Sequence, residues 1–282
     1  MTGRLSDELP RSDARRIGRH RARALMCVVA LAHRAHPDWR LVVAANRDEF
    51  HARPSAPLDR WTDAHDVLAG RDLLSGGSWI GVSEAGRFAV VTNVAGHPRG
   101  DGAPSRGALV ADYLRCGALP DDDRLDAYGG FSLITIGPVA DYRTNQPRPL
   151  RHVLSSGVHG ISNGPLDPPS LRTRAVTMAL DTWLRAPQPI GHLLDLLVDE
   201  TPAPEGERPV FIRDAVYGTR CSTVIAIDHA GDGIIVERRF HPDGTADGVT
   251  RLAFRWPTDG RRRHRYSPAR MPQDCREPAN QG

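Results

Sequence analysis

Short apolar runs, separated by residues that favour turns, recur along this chain. Two of them come early, at residues 26–32 (MCVVALA) and 41–50 (LVVAANRDEF). Both are rich in valine and bounded by polar or proline-containing sequence, which predicts two neighbouring buried strands. The second run ends in four polar or charged residues followed by one aromatic residue, which is unusual for a buried strand. We therefore expect strand pairing to bring Cys27, near the start of the first run, close to Arg47 and Asp48.

The remaining apolar segments predict a mixed α+β domain. Strands are predicted at residues 67–70, 78–83, 87–93, 131–136, 150–154, 223–227, 233–240 and 248–254. Helical spacing predicts helices at residues 105–116, 171–184 and 190–198, with Ser105 as the cap of the first. A proline-rich connection is expected after residue 50 and a turn at residues 160–165. Because strands come first and last with helices grouped between them, the order favours a mixed sheet with packed helices over an alternating parallel fold.

The folded part is predicted to be one domain of residues 26–256. Residues 1–25 are arginine-rich and polar without sustained periodicity, and residues 257–282 carry a further arginine cluster, so both ends are predicted to be disordered. The first segment has three alternative origins: an upstream start codon with translation beginning at Met26, a cleaved propeptide, or a genuine tail. The distinction matters because it decides whether Cys27 carries a free amine.

Composition narrows the class of protein. The chain has 282 residues, of which 40% are hydrophobic and 25% charged, as in ordinary soluble domains. Its excess positive charge lies at the two ends, and the mildly acidic body argues against a core that binds nucleic acid. No apolar run reaches the ~20 residues of a transmembrane helix, and the chain start lacks the apolar stretch of a signal peptide. A cytoplasmic protein without a transmembrane segment is therefore expected.

Metal and nucleotide sites are not predicted. The four cysteines are far apart and form no CxxC pair, and none of the twelve histidines has a HExxH or paired-ligand spacing. The glycine pair at residues 76–77 is too short for a phosphate loop and lacks the Lys-Ser/Thr that follows one. The sequence therefore predicts no resident metal or cofactor.

Six motifs, in order along the chain, carry a resemblance to a known family. They are MC (26–27), AANRDEF (44–50) with RP (53–54), GGSWIG (76–81), TN (92–93), ISNGPLD (161–167) and GTR (218–220). The chain thus resembles the NRDE family, also called the transport and Golgi organization family, whose first name comes from the tetrapeptide at residues 46–49. The resemblance covers nearly all of residues 26–256.

This family is similar to the N-terminal nucleophile hydrolases, the architecture of bile-salt and penicillin V acylases. The resemblance implies an α+β fold with two sheets between helix layers, a four-layer αββα sandwich. In such enzymes the first residue is the nucleophile and its own α-amine is the base. Their pKa values, about 8.5 for a thiol and about 7.7–8.0 for an α-amine, permit proton transfer between them. Cys27 takes this role if the chain begins there; the alternative is a small buried apolar residue, as free cysteines often are.

The same resemblance implies roles for the charged block. Arg47 would lie beside the thiol, favour the thiolate and position the substrate. Asp48 would hold the amine or the arginine. The acylases separate their arginine from their aspartate by two residues, so Glu49 would share that role. The alternative for this block is an ionic corner that fixes the strand end.

Three residues further along are expected at the same site. Asn163 resembles the acylase asparagine that donates to the oxyanion, and Asn93 is a second candidate donor. Arg220 resembles the second acylase arginine, which faces the nucleophile. A turn asparagine and a surface arginine are the alternatives for these positions.

The sequence leaves two functions of different classes. The first is a cysteine amidohydrolase that acts on a linear, non-peptide C–N bond. The second is a non-catalytic protein that binds or traffics an amphipathic ligand in the same pocket, because members of the NRDE family have been implicated in haem trafficking and in lipid or acyl-CoA homeostasis. In both, the predicted partner is a small molecule held at Cys27. Haem is a candidate only in the second function, as a transported ligand.

Overall fold

Two antiparallel sheets form the body of the protein in this computed structural model, which describes residues 27–166, 170–186, 188–204 and 207–257. Residues 1–26 and 258–282 lie outside the described residues, as do the predictions made for them. The predicted domain bounds, residues 26–256, therefore stay a prediction, because the described part of the chain begins at Cys27.

The first sheet is built around the two early strands. Its six described strands lie in the spatial order β10 (Gly157–Ile161), β1 (Val28–His33), β2 (Trp39–Phe50), β11 (Tyr217–Asp228), β12 (Asp232–Phe240) and β13 (Ala246–Arg255). The register pairs Val28 with Asn46, so the preceding residue, Cys27, comes opposite Arg47. The predicted pairing of the two early strands is confirmed.

The second sheet is a meander. Its seven described strands lie side by side in chain order: β3 (Ser55–Arg60), β4 (Val67–Asp72), β5 (Ile80–Ser83), β6 (Arg87–Asn93), β7 (Phe131–Ile136), β8 (Ala140–Thr144) and β9 (Leu150–Val153). Strand β3 occupies the place of the predicted proline-rich connection, so that expectation is wrong. Pro57 is tolerated because β3 is an edge strand with a register shift between Ala56 and Asp59.

Three other strands differ from the prediction. β8 and β10 are too short and too polar or glycine-rich to give an apolar signal, and pairing with β7 and β1 holds them. β10 includes the first two residues of the predicted turn at 160–165. β11 begins at Tyr217, six residues before the predicted start at 223, because its polar first half pairs with the end of β2.

Helices cover the outer face of each sheet. α1 (Arg106–Cys116) packs on the second sheet, whereas α2 (Leu171–Arg185) and α3 (Gly191–Leu196) pack on the first. Alternate residues of β1 separate the layers: Val29 and Leu31 face the other sheet, and Val28 and Ala30 face the helices. The order helix, sheet, sheet, helix confirms the predicted α+β fold, a four-layer αββα sandwich.

A close contact between glycines sets where α1 begins. A Cβ on Gly77 would overlap the carbonyl carbon of Gly107, and a Cβ on Gly107 would lie 2.9 Å from the Ser78 carbonyl oxygen. The Ser78 N–H donates to the Gly107 carbonyl at 3.1 Å. Ser105 caps the helix as predicted, because its Oγ accepts from the Gly107 N–H. The start of α1 is thereby held against the loop that joins β4 to β5.

Gly77→Ala is expected to lower the free energy of unfolding by about 1–3 kcal/mol, because the added methyl group must displace the start of α1. Urea denaturation followed by tryptophan fluorescence measures the change. Gly191→Ala is the matched control, since a Cβ there meets nothing within 4 Å, and it should be neutral or slightly stabilising. Equal stability of the two variants would contradict the close contact.

Candidate functional site

The tetrapeptide at residues 46–49 ends β2 and alternates between the two faces of the first sheet. Asn46 and Asp48 point towards the helix layer, whereas Arg47 and Glu49 point into the space between the sheets. This alternation follows from the two-residue period of a strand. The block therefore divides into one pair that joins the sheet to the helices and one pair that faces a cavity.

Asn46 is a structural residue. Its side chain is fully buried, and its Nδ2 donates to the carbonyl oxygens of Leu197 at 2.8 Å and Val210 at 3.0 Å. Its Oδ1 accepts from Ser222 Oγ at 2.6 Å. Both ends of the amide are thus satisfied, as a buried polar group requires. The residue ties β2 to the end of α3 and to the neighbouring strand β11.

Asp48 forms a buried ion pair with Arg172 of α2, at 2.6 Å between carboxylate and guanidinium, with both side chains at most 1% exposed. Its other oxygen accepts from Thr219 Oγ1 at 2.6 Å. Of the two partners expected for Asp48, the α-amine and Arg47, the second is wrong: Asp48 holds Arg172, because Arg47 lies on the opposite face of β2. Glu49 takes the place beside Arg47, at 3.7 Å.

Cys27 lies in the cavity wall, one residue before β1, and is 8% exposed. Its Sγ is 4.0 Å from the carbonyl oxygen of Asp48. Burial raises the pKa of the thiol from its ordinary 9.0 to about 12, and the positive charge of Arg47 offsets only part of this rise. The thiol is therefore protonated at neutral pH.

Arg47 keeps hydrogen-bonding capacity towards the cavity. Glu49 is shared, at 3.7 Å from Arg47 and 3.8 Å from Arg53, and Arg53 is bound more tightly by Asp72 at 2.6 Å. The Nη1 of Arg47 is buried and has no hydrogen-bond partner in the part of the chain that the structure describes. A buried guanidinium N–H without an acceptor is available to a ligand.

Sequence reasoning does not identify Cys221 or Glu237, which line the same cavity. The register pairs Cys221 with Arg47, so two buried thiols flank one guanidinium. Glu237 accepts from the Leu58 N–H at 2.8 Å and from the Cys221 thiol, and burial raises its pKa. If β11 had been predicted to begin at residue 217 and not 223, the alternation of its side chains would have placed Cys221 on the face that lines the cavity.

The two candidate oxyanion donors occupy neighbouring loops. Asn93 lines the cavity at the end of β6, whereas Asn163 lies two residues beyond β10 and outside the cavity lining. The antiparallel register of β1 and β10 directs the chain at Asn163 towards Cys27. The Ala95 N–H donates to the Asn163 carbonyl at 2.9 Å and holds the two loops together. The Oδ1 of Asn163 is buried without a partner among the described residues.

Arg220 is the extra residue of a β-bulge. The register of β11 against β2 shifts between Thr219 and Cys221, and a bulge of this kind re-aims the side chain between them. Arg220 lines the cavity. Its Nη1 donates at 3.0–3.1 Å to the carbonyl oxygens of Phe50, His51 and Arg53. It therefore holds the chain that leaves β2 at the cavity wall.

The cavity between the sheets has a volume of about 800 Å³. Cys27, Arg47, Asn93 and Arg220 line it, together with the start of α1 and the ends of β12 and β13. Seven arginines and six acidic residues contribute to the lining, alongside aromatic and small side chains. Such a wall suits a ligand with both polar and apolar parts.

The described ranges contain no group of three or more His, Cys, Asp or Glu side chains arranged to hold a metal ion. Within those same ranges, no helix has the length and apolar character needed to cross a membrane.

Relatives of the chain are recognised from its sequence. Residues 26–242 match the family described as Transport and Golgi organisation 2. The Transport and Golgi organization 2 homolog of Mus musculus is 30% identical over 259 residues, which cover 76% of this chain and 92% of the mouse protein. The homolog of Homo sapiens is 30% identical over 262 residues, with the same shares covered.

Solved structures of low sequence identity also match. A conjugated bile acid hydrolase mutant from Clostridium perfringens is 8% identical with a TM-score of 0.47, over 80% of this chain and 92% of that one. Penicillin V acylase from Agrobacterium tumefaciens is 13% identical with a TM-score of 0.43, over 80% and 90%. An N-acylethanolamine-hydrolyzing acid amidase ortholog from Caenorhabditis elegans is 11% identical with a TM-score of 0.42, over 70% and 92%.

Asp48→Asn is expected to lower the free energy of unfolding by about 3–5 kcal/mol, because Arg172 would remain as an uncompensated buried charge. Combining it with Arg172→Met should cost less than the two single changes together. Chemical denaturation of the four proteins measures both effects. Asp181→Asn is the control: its ion pair with Arg185 is partly exposed, so a change of about 0.5 kcal/mol or less is expected. A loss at Asp48 as small as the control's would refute the role of the buried pair.

Glu237 is expected to make stability fall as pH rises. Burial raises its folded-state pKa above the ordinary 4.5, so its contribution is full below that value and is lost as pH rises through the raised pKa. Glu237→Gln removes the titration, and its melting temperature relative to wild type should increase through the pH range above 4.5. Thermal unfolding across this range tests it, with Glu207→Gln on a more exposed segment as control. A constant difference across the range would rule out the titration.

Proposed function

Because the chain belongs to the Transport and Golgi organisation 2 family, we propose that its cavity holds a small amphipathic ligand and that Cys27 attacks an amide bond of that ligand. The observation that carries the proposal is the position of Cys27 in the wall of the 800 Å³ cavity, opposite Arg47 in the strand register. A thiol nucleophile and a guanidinium that can stabilise negative charge, both in the wall of one cavity, are groups suited to acyl transfer.

The proposed reaction is hydrolysis of a linear C–N bond. The Cys27 sulfur attacks the carbonyl carbon, a C–S bond forms, and the tetrahedral intermediate carries the charge on oxygen. The C–N bond then breaks, and the amine leaves with the proton that the thiol has given up. Water attacks the thioester, which releases a carboxylic acid and restores the thiol.

Arg47, Asn93 and Asn163 have proposed roles in this reaction. Arg47 stabilises the thiolate, since its positive charge is what lowers the pKa of Cys27 against burial. The side-chain amides of Asn93 and Asn163 are the proposed oxyanion donors, because the loops that carry them are joined by the Ala95 hydrogen bond. Arg220 keeps the end of β2 in place through its three carbonyl contacts.

The proposed reaction needs a base that removes the proton from the Cys27 thiol. With a pKa of about 12, the Cys27 thiol gives up its proton only if a base lies next to it. The proposed base is the α-amine of Cys27 itself, which requires a chain that begins there. The residues before Cys27 lie outside the part that the structure describes.

The raised pKa also favours a second candidate, a binding or trafficking protein that uses the same cavity without chemistry. A protonated, buried thiol is a small apolar surface and not a nucleophile. The ligands proposed for this function are haem, lipid or acyl-CoA, each of which combines a large apolar part with acidic groups. The arginines of the wall would meet the acidic groups.

A chain that begins at Cys27 is expected to release amine from at least one member of a panel of N-acyl amides, whereas the 282-residue chain should be at least about a hundredfold slower, since its Cys27 nitrogen is an amide. Cys27→Ala should abolish release with an unchanged circular dichroism spectrum. Cys221→Ala, which removes the other buried thiol of the wall, is the control and should retain turnover.

Turnover by Cys27→Ala at the wild-type rate would end the nucleophile assignment. If no amide is turned over by either chain, the binding candidate is tested directly by titrating haem and acyl-CoA. A Soret band that shifts in Cys27→Ala would then identify the thiolate as an iron ligand.

A further inference from the structure

Besides Arg220, three arginines of the cavity wall lack a carboxylate partner among the described residues. Arg99, Arg106 and Arg239 each donate to a backbone carbonyl oxygen and form no ion pair within 4.0 Å in the described ranges. A guanidinium presents five N–H donors, and one carbonyl contact leaves most of them unused. These side chains therefore keep both charge and donors towards the cavity.

The acids of the wall do not supply the missing charge. The buried and half-buried carboxylates are engaged by other groups: Asp48 by Arg172, Glu49 by Arg47 and Arg53, Asp72 by Arg53, and Glu237 by the Leu58 N–H. The other two acids of the lining, Asp101 and Asp247, are exposed to solvent. An anion in the cavity would thus meet positive charge that the protein has not neutralised.

Arg106 is half-buried. It is the first residue of α1, whose start is fixed by the contact of Gly77 with Gly107, and its Nη1 donates to the Gly130 carbonyl at 3.1 Å. Burial lowers its pKa, which means that the charged form is short of compensating interactions. The negative charge of Glu49 offsets only part of this lowering of the pKa, as a Cys27 thiolate would, and the positive charge of Arg99, on the loop before α1, adds to it.

We propose that Arg106, assisted by Arg99, binds an oxyanion of the ligand: a carboxylate, sulfonate or phosphate group. The inference rests on the proposed function, in which the cavity is a ligand site, and adds the chemical class of the ligand. Arg106 and Cys27 line the same cavity but come from different layers of the fold, the helix α1 and the sheet that contains β1. The anionic end of the ligand is therefore held by α1, and the rest of the ligand extends towards β1. The buried Nη1 of Arg47 gives a second donor on the Cys27 side.

The test is calorimetric titration of the 282-residue protein with three probes of equal chain length: octanoate, octyl phosphate and the neutral octanamide. At least one anion is expected to bind about tenfold or more tightly than octanamide, since hydrogen bonds between a guanidinium and an anion are stronger than those to a neutral amide. Tighter binding of octanoate assigns a carboxylate, and tighter binding of octyl phosphate assigns a phosphate group.

Arg106→Gln should reduce the affinity for the anions to that for octanamide and leave octanamide itself unchanged, and Arg106→Lys should restore part of the difference. Arg124→Gln, on an exposed arginine of the 3₁₀ helix Asp122–Ala127, is the matched control and should bind like wild type. The melting temperature of each variant shows that it has folded.

Equal binding of the anions and octanamide, or anion binding that survives Arg106→Gln, would overturn the oxyanion site and leave the ligand cavity standing. Absence of binding by all three probes would overturn the oxyanion site and would also count against the ligand cavity. The failure of the inference and the failure of the proposed function therefore give different results.

Discussion

The buried ion pair between Asp48 and Arg172 is the constraint on which the rest of the site depends. Removing two charges from water is costly, so a pair at 2.6 Å with almost no exposure persists only where further hydrogen bonds complete it. Thr219 completes the carboxylate, and the Val210 carbonyl accepts from Arg172. Because these groups come from β2, α2, β11 and the segment before β11, one interaction fixes the relative position of sheet and helix layer.

The alternation of side chains along β2 links this buried ion pair to the cavity wall. With Asp48 and Asn46 held on the helix side, Arg47 must face the cavity, and the register with β1 sets it opposite Cys27. The bulge at Arg220 allows β11 to contribute Thr219 to the helix side and Cys221 to the cavity side. The charged end of a buried strand, odd in sequence, is thus explained by its two faces having different neighbours.

The hydrophobic pattern of the sequence predicted those features of the fold that depend on residues close together in the chain. The pairing of the first two strands, the three helices and the Ser105 cap all follow from periodicity and short connections, and the structure confirms them. The partner of Asp48 did not follow, because Arg172 lies 124 residues away and no periodicity links the two. Glu237 and Arg106 were missed for the same reason. Strand β3 was missed because its proline is acceptable only at an edge, and edge position is a property of the assembled sheet.

The electrostatics of the cavity separate the roles of its arginines. Burial keeps the Cys27 thiol protonated, and Arg47 is the positive charge that opposes burial most strongly. Arg106 also interacts with Cys27, but an anion bound to Arg106 would cancel that contribution. A ligand held by its anionic end at α1 therefore cannot draw on Arg106 to form the thiolate. In the proposed hydrolase, activation of the thiol would come from Arg47 and from a base at Cys27 itself, whereas the proposed binding of an anion at Arg106 needs neither.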